Sequence, residues 1–214
     1  MATDPPSIGD WLSESSSEPG EVSGRYDDWA ASYDADLASW SYQAPAVVAD
    51  TVLSRVPTTG SVLDVGCGTG LVGRELRARG FGGHLVGLDL SQASLDVAGD
   101  SGAYDSLELA DLQQPLALED DGVDAVVCAG VMTYLPEVES VWREFARVAR
   151  PRGIVVVTQR EDLWLTRDCQ AVVDRLQAEG VLRSSEVTGP APYLPQGYGG
   201  TPEVACYYLT AVVA

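Results

Sequence analysis

Val62-Leu63-Asp64-Val65-Gly66-Cys67-Gly68-Thr69-Gly70 joins an apolar run to a glycine-rich turn. Val62, Leu63 and Val65, rich in β-branched side chains, predict a buried parallel strand. The glycines permit a sharp turn and a close approach of backbone to a ligand. Residues 71–79, with Leu71, Arg74, Glu75 and Leu76, are compatible with a helix that Gly80 stops. Strand, glycine turn and helix in that order make a ligand cradle at the carboxyl end of a strand. Gly68-x-Gly70-x-x-Gly73, with Asp89 about 20 residues on, also satisfies the dinucleotide-binding spacing. The register argues against that ligand. In a dinucleotide site the first glycine follows the strand directly and the helix N-terminus meets a pyrophosphate. Here the turn begins earlier, at Gly66, and Asp64 stands near the strand's end. A carboxylate there repels a pyrophosphate and suits a cation such as an ammonium or a sulfonium.

The run resembles the first motif of class I S-adenosylmethionine methyltransferases, an acidic residue followed by x-Gly-x-Gly-x-Gly, met here by Asp64, Gly66, Gly68 and Gly70. The resemblance implies a Rossmann-like α/β fold: seven strands, mostly parallel, the last antiparallel, with helices on both faces. It implies S-adenosylmethionine as cofactor, S-adenosylhomocysteine as product, and a turn, Cys67 included, that touches the cofactor. In that family an acidic residue ending the second strand binds the cofactor's ribose. The role passes to Asp89, in Gly87-Leu88-Asp89-Leu90-Ser91, with Leu90 beside it. An ionised carboxylate only accepts, so it can take both ribose hydroxyls; a helix N-cap is the other role open to it, although Ser91 is the better cap. Ala110-Asp111-Leu112 is similar to the adenine-binding segment, Asp111 accepting from the amine and the Leu112 backbone facing the ring; an exposed acidic loop is the alternative. Cys128-Ala129-Gly130-Val131 ends the fourth strand, where backbone near Ala129 would face the methionine part.

A narrower likeness lies upstream. Tyr26-Asp27-Asp28-Trp29-Ala30-x-x-Tyr33-Asp34-x-Asp36-Leu37, then Tyr42-x-Ala44-Pro45, is similar to the Williams–Beuren-region methyltransferase-like family. With the glycine motif, Asp89 and Pro151-x-Gly153, the similarity covers most of residues 25–160. It implies that an aromatic helix folds over the cofactor as a lid, with Tyr26, Trp29 or Tyr33 near the sulfonium or carboxylate. An aromatic face beside a sulfonium gains roughly 0.5–2 kcal/mol. Core packing is the other use of such a stripe.

A chain of 214 residues predicts one domain, with hardly room for a separate substrate domain. Its 13 basic and 32 acidic residues give a net charge of −19, which repels phosphate backbones and anionic lipid. Nucleic acid and membrane partners are therefore not expected, and a cationic substrate is open. Cys67, Cys128, Cys169 and Cys206 are far apart and form no metal-type pair, so no metal is expected and free thiols in a reducing cytoplasm are. No basic region precedes an apolar stretch at the start, and no apolar run approaches a membrane span.

Residues 1–24, with Pro5-Pro6, Ser15-Ser16-Ser17 and Pro19-Gly20, predict a mobile acidic tail; residues 25–214 form the domain, with the helical lid at 25–56. Trp29, Tyr33, Leu37 and Trp40 predict one amphipathic helix over 26–40, and a second helix covers 45–55. Strands are expected at 84–89, 106–110, 123–128, 154–157, 181–188 and 204–213, and helices at 91–98, 137–150 and 167–179. A turn at Pro151-Arg152-Gly153 and a loop over 190–202 are also expected. Alternating elements demand a parallel sheet covered on both faces.

Methyl transfer needs an in-line nucleophile and exclusion of water more than it needs acid–base groups. The sole histidine, His84, starts the second strand, at the end away from the ligand edge, and reads as structural. Tyr134 and Glu161 are the candidate catalytic residues, and Tyr134, Arg160, Tyr193 and Tyr198 the candidate substrate contacts. Arg160 suits a carboxylate, and Glu161 or Asp162 an amine. The favoured reading is methyl transfer to N or O of a small molecule. Cleavage or cyclisation of S-adenosylmethionine, its use as a passive cofactor in ring formation, and a non-catalytic binding module stay open, with a dehydrogenase more remote. Oligomeric state is not legible.

Overall fold

The computed structural model describes residues 16–195 and 203–214. Helices α1 (Pro19–Trp29), α2 (Tyr33–Ser39) and α3 (Ala44–Leu53) come first. Strand β1 (Ser61–Val65) leads into α4 (Leu71–Ala78), and β2 (His84–Asp89) into α5 (Gln92–Asp100). There follow β3 (Ser106–Leu109), β4 (Val123–Cys128), a 3-10 turn (Met132–Tyr134), α6 (Val138–Val148) and β5 (Ala149–Arg160). Helices α7 (Glu161–Thr166) and α8 (Cys169–Ala178) precede β6 (Leu182–Leu194) and β7 (Val204–Val213).

The strands form one sheet in the order β3-β2-β1-β4-β5-β7-β6. Leu63 of β1 lies opposite Val86 of β2 and Val126 of β4, both parallel. β7 runs antiparallel between β5 and β6, so the expected reversed last strand is present. Strand order reverses between β1 and β4, and a crevice opens beyond the carboxyl ends of such strands.

Alternation along the strands divides the core. Leu63, Val126 and Val155 pack on one face against Trp142 and Phe145 of α6 and Leu176 of α8. Val62, Ala125, Val127 and Val156 pack on the other against Val48 and Val52 of α3 and Leu76 of α4. Val138, Val141, Trp142, Phe145 and Val148 form the buried stripe that holds α6 down.

Five expectations change. The helix expected over 26–40 is two, since the chain leaves α1 after Trp29 and re-enters a helix at Tyr33. The break folds the two rings together, edge to face at 4.6 Å. α1 already begins at Pro19, so residues 19–24 are helical and not part of a tail; a proline in the first turn presets the backbone for helix. Pro151-Arg152-Gly153 lies inside β5 as a bulge, where pairing slips from Val123↔Ala149 to Ala125↔Ile154 and Arg152 takes φ +66°. α7 was not expected, and the helix after it starts at Cys169. β6 continues through Leu194, pairing Ala191 with Cys206 and Pro192 with Ala205. Prolines are tolerated there because β6 is an edge strand. Tyr198 lies outside the described residues. Among those residues no helix is long and apolar enough to cross a membrane.

Candidate functional site

Beyond the ends of β1, β2 and β4 lies a cleft of about 840 Å³, its mouth included. Its floor is the glycine turn. Gly66 sits at φ +76°, and a Cβ there would lie 2.2 Å from Val131 Cγ2, so glycine alone fits. The N–H groups of Gly66 and Cys67 both donate to Leu88 O, at 2.7 and 2.9 Å, pinning the turn to the end of β2. Gly68 N donates to Asp89 Oδ2 at 2.7 Å, and Ser91 N donates to Asp89 Oδ1 at 2.9 Å. With a third backbone bond from Leu90, the carboxylate still keeps a lone-pair direction for a ligand. Burial raises the Asp89 carboxyl above its ordinary value, against the pull of the backbone donors. Capping of α5 falls to Ser91, whose Oγ accepts from Ser94 N at 3.0 Å.

Gly66, Cys67, Gly68, Asp89, Leu90, Asp111, Leu112 and Ala129 line this cleft, with Tyr26 and Tyr33 from α1 and α2 and Tyr134 from the 3-10 turn. Asp64, Gly70 and Trp29, expected there too, do not. Asp64 shares a face with Val62 and lies beneath the turn, 1 % exposed, where its Oδ2 accepts from Tyr104 Oη at 2.6 Å. Its Oδ1 is buried with no hydrogen-bond partner among the described residues. Burial pushes the Asp64 carboxyl up to about 7, opposed by the Tyr104 hydrogen bond and reinforced by the charge of Asp89. Gly70 is the left-handed residue that opens α4, turned towards Ala98 and Tyr104. Trp29 is buried, its Nε1 donating to Asp36 Oδ2 at 2.7 Å, and it walls a neighbouring chamber.

That chamber, about 490 Å³ with its mouth, is lined by Trp29, Trp40, Tyr193, Thr133 and Arg160 among others. Tyr26, Tyr33, Tyr42, Gly130 and Tyr134 border both spaces. At Gly130, φ +84°, a Cβ would lie 2.8 Å from Tyr42 Oη and 3.0 Å from Tyr193 Oη. These two phenols lie 3.2 Å apart, and Tyr26 Oη donates to Tyr134 Oη at 3.1 Å. Burial, with adjoining phenols, holds Tyr26, Tyr33 and Tyr42 well above their ordinary value, so they stay protonated at neutral pH. Arg160 grips Asp162 with a fork, Nε to Oδ1 at 3.1 Å and Nη2 to Oδ2 at 2.7 Å. Glu161, expected to assist catalysis, lines neither space; it is half-buried at the first position of α7. His84 is exposed at the opposite edge, 3.4 Å from Asp105.

Two carboxylates tie the lid down. Asp27 Oδ1 accepts from Ser91 Oγ at 2.6 Å and Ala93 N at 3.2 Å, at the entrance to α5. Asp34 accepts from Thr69 Oγ1 at 2.6 Å and pairs with Arg74 at 2.5 Å. Both stand in the N-terminal run quoted above, without a role attached there. Tyr104, which also accepts from Gly73 N at 3.1 Å, had no sequence signal at all.

Residues 63–157 match the methyltransferase domain family. Methyltransferase-like protein 27 of Homo sapiens is 35 % identical over 170 residues, covering 73 % of this chain and 66 % of its own length. The ubiquinone biosynthesis O-methyltransferase of Hahella chejuensis is 34 % identical over 94 residues, 42 % of this chain and 39 % of that protein. The chain thus spans less than two thirds of these relatives. A TehB-like SAM-dependent methyltransferase from Corynebacterium glutamicum has the same fold, with a TM-score of 0.64 at 20 % identity over 89 % of this chain and 99 % of the other. With the seven-stranded sheet, the glycine turn after β1 and these sequence matches, residues 63–157 form a methyltransferase domain of the class I S-adenosylmethionine-dependent kind.

Proposed function

We propose that this chain transfers a methyl group from S-adenosylmethionine to a nitrogen or oxygen of a small molecule. The observation that carries the proposal is the shared wall of Tyr26, Tyr33, Tyr42, Gly130 and Tyr134 between the glycine-turn cleft and the aromatic chamber. Donor and acceptor would meet across it, inside one enclosure. The residues present fit the cofactor. A side chain at Gly68 would enter open space in the cleft, so the backbone there is left bare for a ligand. Asp89 offers acceptors suited to ribose hydroxyls, Asp111 an acceptor for an amine, and Ala129 and Gly130 leave room.

Bound S-adenosylmethionine would supply an electrophilic methyl group. The chain's own part is to bind, to align the acceptor and to keep water out, which the buried aromatic wall supports. Tyr134, whose Oη accepts from Tyr26, would orient the acceptor. Oxygen as acceptor is supported by the name of the ubiquinone-pathway relative. The net charge of −19 supports a small molecule over nucleic acid or membrane as partner, and four buried free cysteines support a reducing, cytoplasmic setting.

Titration calorimetry with S-adenosylmethionine, followed by mass spectrometry with panels of amines, phenols and carboxylic acids, tests the proposal. S-adenosylhomocysteine with a product one methyl heavier is the expected result. Methylthioadenosine, or cofactor bound and unchanged with every acceptor, would overturn it. Asp89→Ala should weaken cofactor binding by about 1.5–3 kcal/mol, the range of hydrogen bonds to a charged group.

A further inference from the structure

We infer that the aromatic chamber takes an aryl carboxylic acid and that the product is its methyl ester; this rests on the methyltransferase reading above. Rings from Tyr26, Trp29, Tyr33, Trp40, Tyr42 and Tyr193 wall the chamber. Trp29 meets Tyr33, and Tyr42 meets Tyr193, edge to face at 4.6 and 5.0 Å. Edges and faces presented this way pack best against a flat ring. Area and shape therefore select a planar, apolar body.

Charge selects its functional group. Among the described lining residues Arg160 is the one charged side chain, 17 % exposed, at the end of β5. It is a cation inside a chamber of a chain whose net charge is −19. Asp162, more than half exposed on α7, holds the guanidinium by its fork and lies outside the lining. Asp162 is screened by water and cancels only part of that charge. A carboxylate entering the chamber shares the guanidinium with it, and a protonated amine finds no carboxylate among the described lining residues.

The reacting atom must also arrive without its proton. Among the described residues the chamber lining holds no histidine and no carboxylate. Four of its phenols stay protonated: burial raises Tyr26, Tyr33, Tyr42 and Tyr193 above their ordinary value. An amine or a simple phenol would need a base to become a nucleophile at neutral pH, whereas a carboxylic acid is already ionised. One carboxylate oxygen forms the new O–C bond as the S–C bond breaks, and the S–C electron pair stays on sulfur. The negative charge of the acid and the positive charge of the sulfonium cancel, and no proton moves. Charge cancellation is favoured in surroundings of low dielectric, as an aromatic chamber provides.

The test uses the full chain with methyl-tritiated S-adenosylmethionine and benzoate, cinnamate or indole-3-acetate, beside benzyl alcohol, benzylamine and phenol. A methyl ester releases its label as volatile methanol in base, and the ethers and amines do not. Expected are base-labile label from at least one of the carboxylates and a kcat/KM level between about pH 6.5 and 8.5, where a carboxylate stays ionised. Arg160→Gln should raise KM for that acid about 10- to 100-fold, the range of a charge-assisted hydrogen bond, with kcat changed less and Arg160→Lys recovering part. Unchanged calorimetric affinity for the cofactor in both variants confirms that they are folded. Stable label on phenol or benzylamine and none on the acids overturns the inference and leaves the methyltransferase reading standing. No S-adenosylhomocysteine with any acceptor overturns both, and an unchanged KM in Arg160→Gln overturns the role of Arg160.

Discussion

Asp64 makes the unliganded protein less stable as pH rises through the weakly acidic range. Its side chain is 1 % exposed, one oxygen held by Tyr104 and the other without a partner among the described residues. Burial raises the folded-state value from 3.8 to about 7. Because the folded value lies above the unfolded one, the folded state binds the extra proton between them. Stability is therefore greatest below the unfolded value and falls as pH climbs towards 7. At about 1.36 kcal/mol per pH unit, the span from 3.8 to 7 gives a penalty of about 4 kcal/mol. Asp64→Asn keeps the shape and an oxygen that can accept from Tyr104, and it removes the titration. Urea melts of both proteins at half-unit steps from about pH 4.5 to 7.5 read the difference directly. The variant should gain on the wild type by about 3 kcal/mol across that range, the part of the span that it covers. Parallel curves would refute the reasoning, because they would mean that the Asp64 carboxyl ionises in the folded state as it does in water. The same carboxylate lies beneath the glycine turn, so its cost is borne at the edge of the cleft.

Gly66→Ala should cost more than about 3 kcal/mol in denaturant melts, or prevent folding, since the Cβ would lie 2.2 Å from Val131 Cγ2 at φ +76°. Asp34→Ala should cost about 1–3 kcal/mol, because the buried Thr69 hydroxyl loses its acceptor, while the partly exposed pair with Arg74 adds little; hydrogen exchange in α1 and α2 should accelerate, as one of the two ties on the lid is lost. Phe145→Ala removes a side chain 1 % exposed from the face held by α6, and thermal or urea melts should show a loss of about 3–5 kcal/mol. His84→Gln should leave turnover unchanged within twofold, since His84 is exposed at the edge of the sheet opposite the cleft.

The elements legible in the sequence are those written in short-range terms. Runs such as Val123–Cys128 and His84–Asp89 carry enough apolar and β-branched residues, bounded by loop residues, to mark their own ends. The spacing of Gly66 and Gly68 with Asp89 announced a cleft lined by all three, because a tight turn and a strand-end carboxylate are local requirements. The aromatic stripe was legible as amphipathic but not as broken. A period of 3.6 continues smoothly across Ala30–Ser32, and the bonds that hold the chain in its turn there are made by side chains: Trp29 Nε1 and Ser32 Oγ to Asp36, and Asp34 to Thr69 and Arg74 across the glycine turn.

The sequence by itself determined the α/β class, the seven strands, the cofactor turn and the family resemblance, since backbone propensity and residue spacing act over a few neighbours. The tertiary structure alone decided where side chains ended up. Period two puts Asp64 on one face of β1, but its depth and its bond to Tyr104, 40 positions away, come from packing. Packing likewise placed Trp29 in the chamber beside the cleft and left Glu161 outside both. Tyr42 and Tyr193 meet across 151 positions to wall a chamber that no local pattern announces, because loop closure over that distance is paid for by the whole core and not by the residues that touch.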